Sequence, residues 1–259
     1  MKKNFITEYY DFASKLADAA KLITLSYFRS SIKIEAKLDD SPVSIADKKA
    51  EGVMRQMIER KYPSHGIIGE EYGGQNVTSE FVWILDPIDG TRSFVTGKPL
   101  FGTLICLLHQ EQFIVGLIDM PALNERWKSA LNMPTMFQEN AVTCRPCKKI
   151  NEAWLYATSP HMFTPEKFVK FEALRKSVYN TNYGADCHAY GLVASGWADL
   201  VCESSLKIYD FAALVPIIKG ANGVITDWKG LPLSLESDGS ILASGSQEIH
   251  EEALTILNR

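Results

Sequence analysis

The chain has 259 residues, of which 46% are hydrophobic and 22% are charged. These ordinary proportions exclude a disordered, collagen-like or coiled-coil protein, and the length suits one large domain or two small ones. Because 27 Lys and Arg stand against 31 Asp and Glu, the net charge is −4, which argues against a nucleic-acid or membrane partner, since both favour basic patches.

The sequence pattern of the first half predicts two helices followed by several strands. Apolar residues recur at helical spacing through the first thirty residues. A second helical pattern runs from Ser44 to Lys61 and stops at Pro63, and a turn-rich segment at 38–42 separates it from the first. Short apolar runs then predict four strands, at 66–69, 82–85, 101–108 and 113–118.

After Cys147 the pattern alternates between helices and strands. Helical spacing predicts four helices, near 165–176, 186–196, 210–221 and 246–258. Apolar runs predict three strands, near 199–202, 223–226 and 241–244. We therefore expect an N-terminal α+β half over residues 1–147 and a C-terminal α/β half over 148–259. The two halves form one continuous structural unit, because no flexible linker separates them.

The cysteines and the N-terminus bear on the compartment. The five cysteines are odd in number and scattered, and no apolar signal run follows Met1. We therefore predict a reduced, cytoplasmic protein. Cys144 and Cys147 form a CxxC without a second such pair, so they are interpreted as free thiols and not as a zinc site. No stretch approaches the roughly 20 apolar residues that cross a bilayer.

The most informative segment is an apolar strand that ends in two acids, Asp86 and Asp89. The intervening Pro87 and the following Gly90 predict a tight turn in which both side chains face one point. Paired carboxylates repel each other unless a cation lies between them. Mg²⁺ takes oxygen ligands, including a carbonyl such as that of Ile88. The alternative is a turn in which one Asp caps a helix and the other is solvated.

Further acids follow an apolar strand or lie at the start of a helical pattern. Glu70 and Glu71 follow another apolar strand, where like charges have no reason to cluster for stability alone. Asp210 opens a helical pattern, either as an N-cap or as a ligand aimed at the same cavity. Asp47 starts the second helix, where the helix dipole alone would favour an acid. In the functional interpretation, Asp47 pairs with the Thr91 hydroxyl and the two orient a water for attack.

Gly90 and Thr91 supply an anion site beside these acids, because backbone amides of such a turn bind anions. Acids that bind cations, next to amides that bind an anion, indicate a site for a phosphorylated substrate. Two or more Mg²⁺ would invert the sign of the site, polarise the phosphoryl group and activate a water. Outside the enzyme class, the alternative is a non-catalytic cation-binding protein.

Three segments, in this order, resemble the motifs of the inositol monophosphatase superfamily of Mg²⁺-dependent phosphomonoesterases: Gly69-Glu70-Glu71, Asp86 to Thr91, and Tyr209 to Ala213. The resemblance runs from Ser41 to Val224. It implies an α/β (α+β) fold, the layered αβαβα sandwich of the inositol monophosphatase and fructose-1,6-bisphosphatase type. It also implies a homodimer that acts on a small-molecule phosphate monoester.

The resemblance assigns roles residue by residue. The metal ligands that it implies lie mostly in the N-terminal half and are Glu70, Asp86, the Ile88 carbonyl, Asp89 and Asp210. Asp47, Glu70 and Thr91 would be catalytic, with Asp47 and Thr91 activating the water. Gly90 and Thr91 would hold the phosphate, and Glu203 would contact the hydroxyl-bearing part of the substrate. The implied cofactor is Mg²⁺, as two or three ions, with inhibition by Li⁺.

The resemblance is strongest to the histidinol-phosphate phosphatase branch, which hydrolyses L-histidinol phosphate in histidine biosynthesis. Inositol-specific members typically continue the Asp86 to Thr91 motif as Thr-Asn-Phe, where this chain has Arg92-Ser93-Phe94. Asp186 would suit a cationic amine or imidazole, and Arg92 would also contact the substrate. Alternatively, Asp186 is a helix N-cap and Arg92 a surface residue. Inositol 1-phosphate, sugar phosphates and the 3′-phosphate of an adenosine bisphosphate are the alternative substrates.

Overall fold

Three β-sheets, of eight, five and two strands, and the helices packed on them make up the part of the chain that can be described. The structure is a computed structural model and describes residues 3–30, 34–36 and 42–259, with side chains from 6–30 and 45–259. The predicted turn at 38–42 lies outside these residues except for Pro42, as does Ser41, where the motif resemblance begins.

The described residues form eight α-helices and fifteen β-strands. The helices are α1 Lys3–Tyr27, α2 Ile45–Lys61, α3 Thr91–Val95, α4 Pro165–Ser177, α5 His188–Ala194, α6 Ile208–Phe211, α7 Leu214–Gly220 and α8 Gln247–Leu257. The strands of the first half are β1 Ile34–Ala36, β2 Pro42–Ser44, β3 Gly66–Gly69, β4 Gly73–Gln75, β5 Phe81–Asp89, β6 Gly102–His109, β7 Gln112–Met120, β8 Glu125–Ala130, β9 Met136–Phe137 and β10 Asn140–Ala141. Those of the second half are β11 Trp154–Ala157, β12 Asn180–Tyr183, β13 Leu200–Glu203, β14 Val224–Asp227 and β15 Ile241–Ser244.

The larger sheet has eight strands in the order β10-β9-β8-β7-β6-β5-β3-β4. Residues 81–85 of its interior strand β5 are an unbroken apolar run, as is typical of a strand with both faces covered. Trp83 and Leu85 pack with Leu16 of α1 and Met54 of α2, whereas Ile84 packs into the core on the opposite side. Helices α1 and α2 therefore form an outer layer on one face of this sheet.

The smaller sheet has five strands in the order β12-β11-β13-β15-β14. Alternate residues of β13 separate its two faces: Val201 joins the core shared with α5, α6, α7 and the larger sheet. Leu200 packs outward with Phe171 of α4 and Ile249 of α8. The layers thus run α, β, α, β, α, and the expected sandwich is confirmed. The proposed boundary at residue 147 stays a prediction.

The predicted helix at 210–221 is two helices, α6 and α7. Pro216 explains the break, because a proline inside a longer helix would lack an amide for the carbonyl four residues earlier. In the structure Pro216 lies in the first turn of α7, where a proline is tolerated. The break leaves α6 as a short separate helix, which carries Asp210.

We expect His250 to make the folded protein sensitive to acid. Its ring is buried between the hydroxyls of Thr226 and Ser244, at 2.9 and 2.8 Å, and burial lowers its pKa to about 4. In the unfolded chain the same imidazole has a higher pKa, about 6.5. The folded state therefore keeps its full stability above pH 6.5, and its free energy of unfolding falls by roughly 3 kcal/mol as the pH falls towards 4.

Denaturant unfolding between pH 4 and 7 measures this loss. His250→Gln should show a shallower fall in the free energy of unfolding than the wild type. His161→Gln, a change at an exposed histidine, should keep the wild-type slope. Equal slopes for His250→Gln and the wild type would contradict this interpretation.

Candidate active site

Two neighbouring parallel strands deliver acids to one edge of the larger sheet. Gly69, the last residue of β3, pairs with Leu85 of β5, so the residues that follow each strand emerge side by side. The Glu70 amide donates to the Leu85 carbonyl at 3.2 Å. Glu70 and Asp86 are therefore neighbours because of the strand register.

Strand β5 bends after Asp86 and turns a second acid towards the first. The pairing of β5 with β6 is irregular between Asp86 and Asp89, as expected for a bulge. The Thr103 hydroxyl holds the Pro87 carbonyl at 2.8 Å, and Ile88 is buried against Phe94 and Phe101. This irregularity lets Asp86 and Asp89 face the same point instead of opposite faces of the sheet.

Asp210 reaches the same point from the second half of the chain. Carboxylate oxygens of Asp86, Asp89 and Asp210 lie within 4.8 Å of one another. Asp210 is the third residue of α6, and its Oδ2 accepts the Lys207 amide at 2.6 Å. The alternative that Asp210 is an N-cap is therefore wrong, since the N-cap position belongs to Lys207.

The electrostatics of this cluster are those of a site for cations. Burial raises the pKa of Asp86 well above its usual range, and the charges of Glu70, Asp89, Asp210 and Asp47 raise it further. Burial likewise raises the pKa of Asp89, and it raises the pKa of Asp210 to about 7. The buried Oδ1 of Asp86 has no hydrogen-bond donor within the described part of the chain. A hard divalent cation fits this all-oxygen set of donors.

The structure brings Asp47 and Thr91 close to the cluster. Asp47 is buried in the first turn of α2, and its charge contributes to the raised pKa of Asp86. The Thr91 hydroxyl donates to the Ile88 carbonyl at 3.1 Å. The pairing of Asp47 with Thr91 stays a prediction.

Gly90 occupies a position that only glycine suits. Its φ of 81° is in the left-handed region, and a Cβ there would lie 3.1 Å from the Asp186 carboxyl and from the Leu100 carbonyl. Gly90 precedes α3, whose first intrahelical bond runs from the Phe94 amide to the Gly90 carbonyl. Burial raises the pKa of Asp186, and the charge of Arg92, which is exposed on α3, offsets part of that rise, so Arg92 lies within electrostatic reach of Asp186.

A small cavity of about 120 Å³ joins the cluster to the residues expected to contact the substrate. Asp89, Asp186, Glu203 and Asp210 all line it. Glu203 is buried at the end of β13 and accepts the Thr158 amide at 2.7 Å and the Tyr190 hydroxyl at 2.8 Å. Burial raises the pKa of Glu203 to about 7 despite these hydrogen bonds.

Asp186 faces the Gly90 turn from the second half. Its φ is 49°, and Cys187, not Asp186, is the N-cap of α5, so the N-cap alternative is wrong. The Ser93 hydroxyl donates to its Oδ2 at 3.4 Å, and the charge of Lys98 opposes the rise in pKa that burial causes. The Lys98 amine also donates to the Gly184 carbonyl.

Sequence reasoning missed four residues that surround the substrate candidates: Ser93, Lys98, Thr158 and Tyr190. Tyr190 lies four residues after Asp186, and a search of the positions one helical turn further would have found it. No sequence signal marks Thr158, whose backbone amide donates to Glu203.

Comparisons with known proteins agree with this geometry. The profile of the Inositol monophosphatase family matches residues 6–259. The chain is 47% identical to the chloroplastic bifunctional phosphatase IMPL2 of Arabidopsis thaliana, over 93% of this chain and 72% of that protein. It is 32% identical to a histidinol-phosphatase of Chlorobaculum parvum, over 90% and 91% of the two chains.

A solved structure shows the same fold. An inositol monophosphatase from Zymomonas mobilis superposes with a TM-score of 0.90 at 40% identity, covering 98% of both chains. The resemblance found in the three sequence motifs is therefore confirmed over nearly the whole length. The chain belongs to the inositol monophosphatase family and is a phosphoric monoester hydrolase.

Proposed function

We propose that this phosphatase hydrolyses L-histidinol phosphate, a step of histidine biosynthesis, with Mg²⁺ as its cofactor. The observation that carries the proposal is the pair of carboxyl groups, Asp186 and Glu203, in the cavity beside Asp89 and Asp210. An acidic wall next to a phosphate site favours a leaving group that bears a cationic amine over a neutral polyol. Similarity to a histidinol-phosphatase supports the same substrate.

The metal would be held by Glu70, Asp86, the Ile88 carbonyl, Asp89 and Asp210, as two or three Mg²⁺, and we expect Li⁺ to inhibit the enzyme. Bound Mg²⁺ supplies a counter-charge for the carboxylates and polarises the phosphoryl group and the attacking water. Strand register and the bend of β5 position Glu70, Asp86 and Asp89, and α6 positions Asp210.

The chain's own residues then orient the reactants. The amides of Gly90 and Thr91 bind the phosphate, since the first amides of a helix have no intrahelical acceptor. Asp47, with Thr91 and Glu70, orients the water and takes its proton. The new bond joins the water oxygen to phosphorus, and the ester P–O bond breaks. The leaving oxygen takes a proton from solvent, and Asp47 returns to solvent the proton that it took, so the products are inorganic phosphate and the amino alcohol. Asp186, Glu203 and Arg92 contact the departing group.

A second candidate is an inositol 1-phosphate phosphatase. One similarity favours it: the 40% identity to the inositol monophosphatase of Zymomonas mobilis. Glu203 would then accept a substrate hydroxyl in place of an amine. The two candidates share the metal site and differ only in the leaving group.

The remaining features of the proposal have separate support. All five cysteines are free thiols, which supports a reducing, cytoplasmic compartment. Over the described ranges, no helix has the length and apolar character needed to span a bilayer. The homodimer and the division at residue 147 are proposed on the sequence resemblance and pattern.

Asp86→Asn should abolish Mg²⁺-dependent phosphate release, lowering kcat/KM by more than about 100-fold, because even residues behind a metal ligand cost 10–100-fold. The metal-free variant should unfold at the wild-type temperature or above it, since one of several repelling buried charges is gone. Mg²⁺ should raise the Tm of the wild type only.

The control for this change is Asp11→Asn, at an exposed position on α1. It should match the wild type in phosphate release and in both unfolding temperatures. Near-wild-type turnover by Asp86→Asn would show that the carboxylate cluster is not the metal site.

The wild type should prefer L-histidinol phosphate over inositol 1-phosphate in kcat/KM. Asp186→Asn should lower the value for histidinol phosphate by about 10- to 100-fold, as expected when a charged hydrogen bond of roughly 1.5–3 kcal/mol is lost. Rates on inositol 1-phosphate should change far less. Initial-rate kinetics on both substrates, with both proteins, measure this.

A wild-type preference for inositol phosphate would reject the histidinol-phosphate assignment in favour of the second candidate. An equal loss on both substrates in Asp186→Asn would show that Asp186 supports the site without selecting the amine.

A further inference from the structure

Glu51, in the middle of α2, is fully buried yet takes no part in the mechanism described above. A buried carboxylate is costly unless several donors satisfy it, so its partners indicate what it does. The partners of Glu51 lie in the loop that carries the proposed metal ligand Glu70.

The two oxygens of Glu51 accept the two amides that follow Glu70 in the chain. Oε2 accepts the Glu71 amide at 2.7 Å, and Oε1 accepts the Tyr72 amide at 3.3 Å. On the other side, the Glu70 amide is bound to the Leu85 carbonyl at 3.2 Å. The backbone of Glu70 is therefore held both by strand β5 and by helix α2.

Arg55, one helical turn after Glu51, completes the clamp. Its Nε donates to Glu51 Oε1 at 2.7 Å, and both side chains are buried. Its Nη2 donates to the Gly73 carbonyl, and its guanidinium lies 5.8 Å from the centre of the Tyr72 ring. The pair is neutral overall, so it holds the loop without adding net charge near the metal carboxylates.

Gly69 shows how closely the loop approaches Glu51. A Cβ at Gly69 would overlap the Glu51 carboxylate. Strand β3 can reach this carboxylate only because position 69 has no side chain. Gly69, the Glu51 carboxylate and Arg55 thus pack together and hold the backbone on both sides of Glu70.

We propose that Glu51 is a positioning residue for the metal site: it fixes the loop from Gly69 to Gly73 so that the Glu70 carboxylate faces Asp86 and Asp210. The inference rests on the proposed metal-dependent function but not on the identity of the substrate. Loss of a residue behind a metal ligand typically weakens metal binding by 10–100-fold.

The test measures metal binding without substrate. Titration calorimetry with Mn²⁺ should give a Kd about 10- to 100-fold weaker for Glu51→Gln than for the wild type. Turnover at saturating Mg²⁺ should recover most of the wild-type kcat, because the ligands themselves are intact. Glu59→Gln is the matched control, since Glu59 is an exposed residue of the same helix that binds the Gln75 side chain at 3.1 Å.

The outcomes separate this inference from the proposed function. Equal Mn²⁺ affinities in the wild type and Glu51→Gln would overturn the positioning role alone. A wild type that binds no Mn²⁺ would overturn the metal-dependent function, and the positioning role with it. A preference for another phosphate ester would leave the positioning role intact.

A second measurement needs no variant and decides the matter if Glu51→Gln does not fold. Hydrogen exchange of the metal-free wild type should show the Glu71 and Tyr72 amides already protected, because Glu51 and not the metal holds them. Protection that begins only when Mn²⁺ is added would overturn the proposal.

Discussion

The mutual repulsion of buried carboxylates is the constraint on which the rest of this structure depends. Asp86, Asp89 and Asp210 offer oxygens within 4.8 Å of one another, and nearby charges raise the pKa of Asp86 beyond the effect of burial. A fold gains no stability from such an arrangement unless a cation joins it. The surrounding architecture can be understood as the means of holding these groups together against their repulsion.

The larger sheet and the middle helix layer share this task. The larger sheet fixes Asp86 through strand register, and the middle helix layer adds Asp210 from the other half of the chain. The same layer carries Asp186 and Tyr190 to the cavity that adjoins the metal carboxylates. The candidate metal carboxylates Asp89 and Asp210 thus share one cavity with Asp186 and Glu203.

The sequence pattern predicts the candidate site residues that directly follow an apolar strand. Apolar strands followed by acids identify Glu70 and Asp86 without structural knowledge, because a strand end is visible in the chain itself. The sequence pattern missed strand β8 because four of the six residues of Glu125–Ala130 are polar and the segment lacks an apolar run. The contact of Glu51 with the Glu71 amide joins residues 20 apart through a backbone group, which no side-chain pattern reveals.

The most direct test of the central claim is anomalous diffraction from crystals of the wild type grown with Mn²⁺. We predict an anomalous peak bounded by the carboxylates of Asp86, Asp89 and Asp210, with a further peak next to Glu70 if a second ion is bound. A well-ordered site without any anomalous peak between these three carboxylates, or Mn²⁺ bound only elsewhere on the chain, would contradict the account.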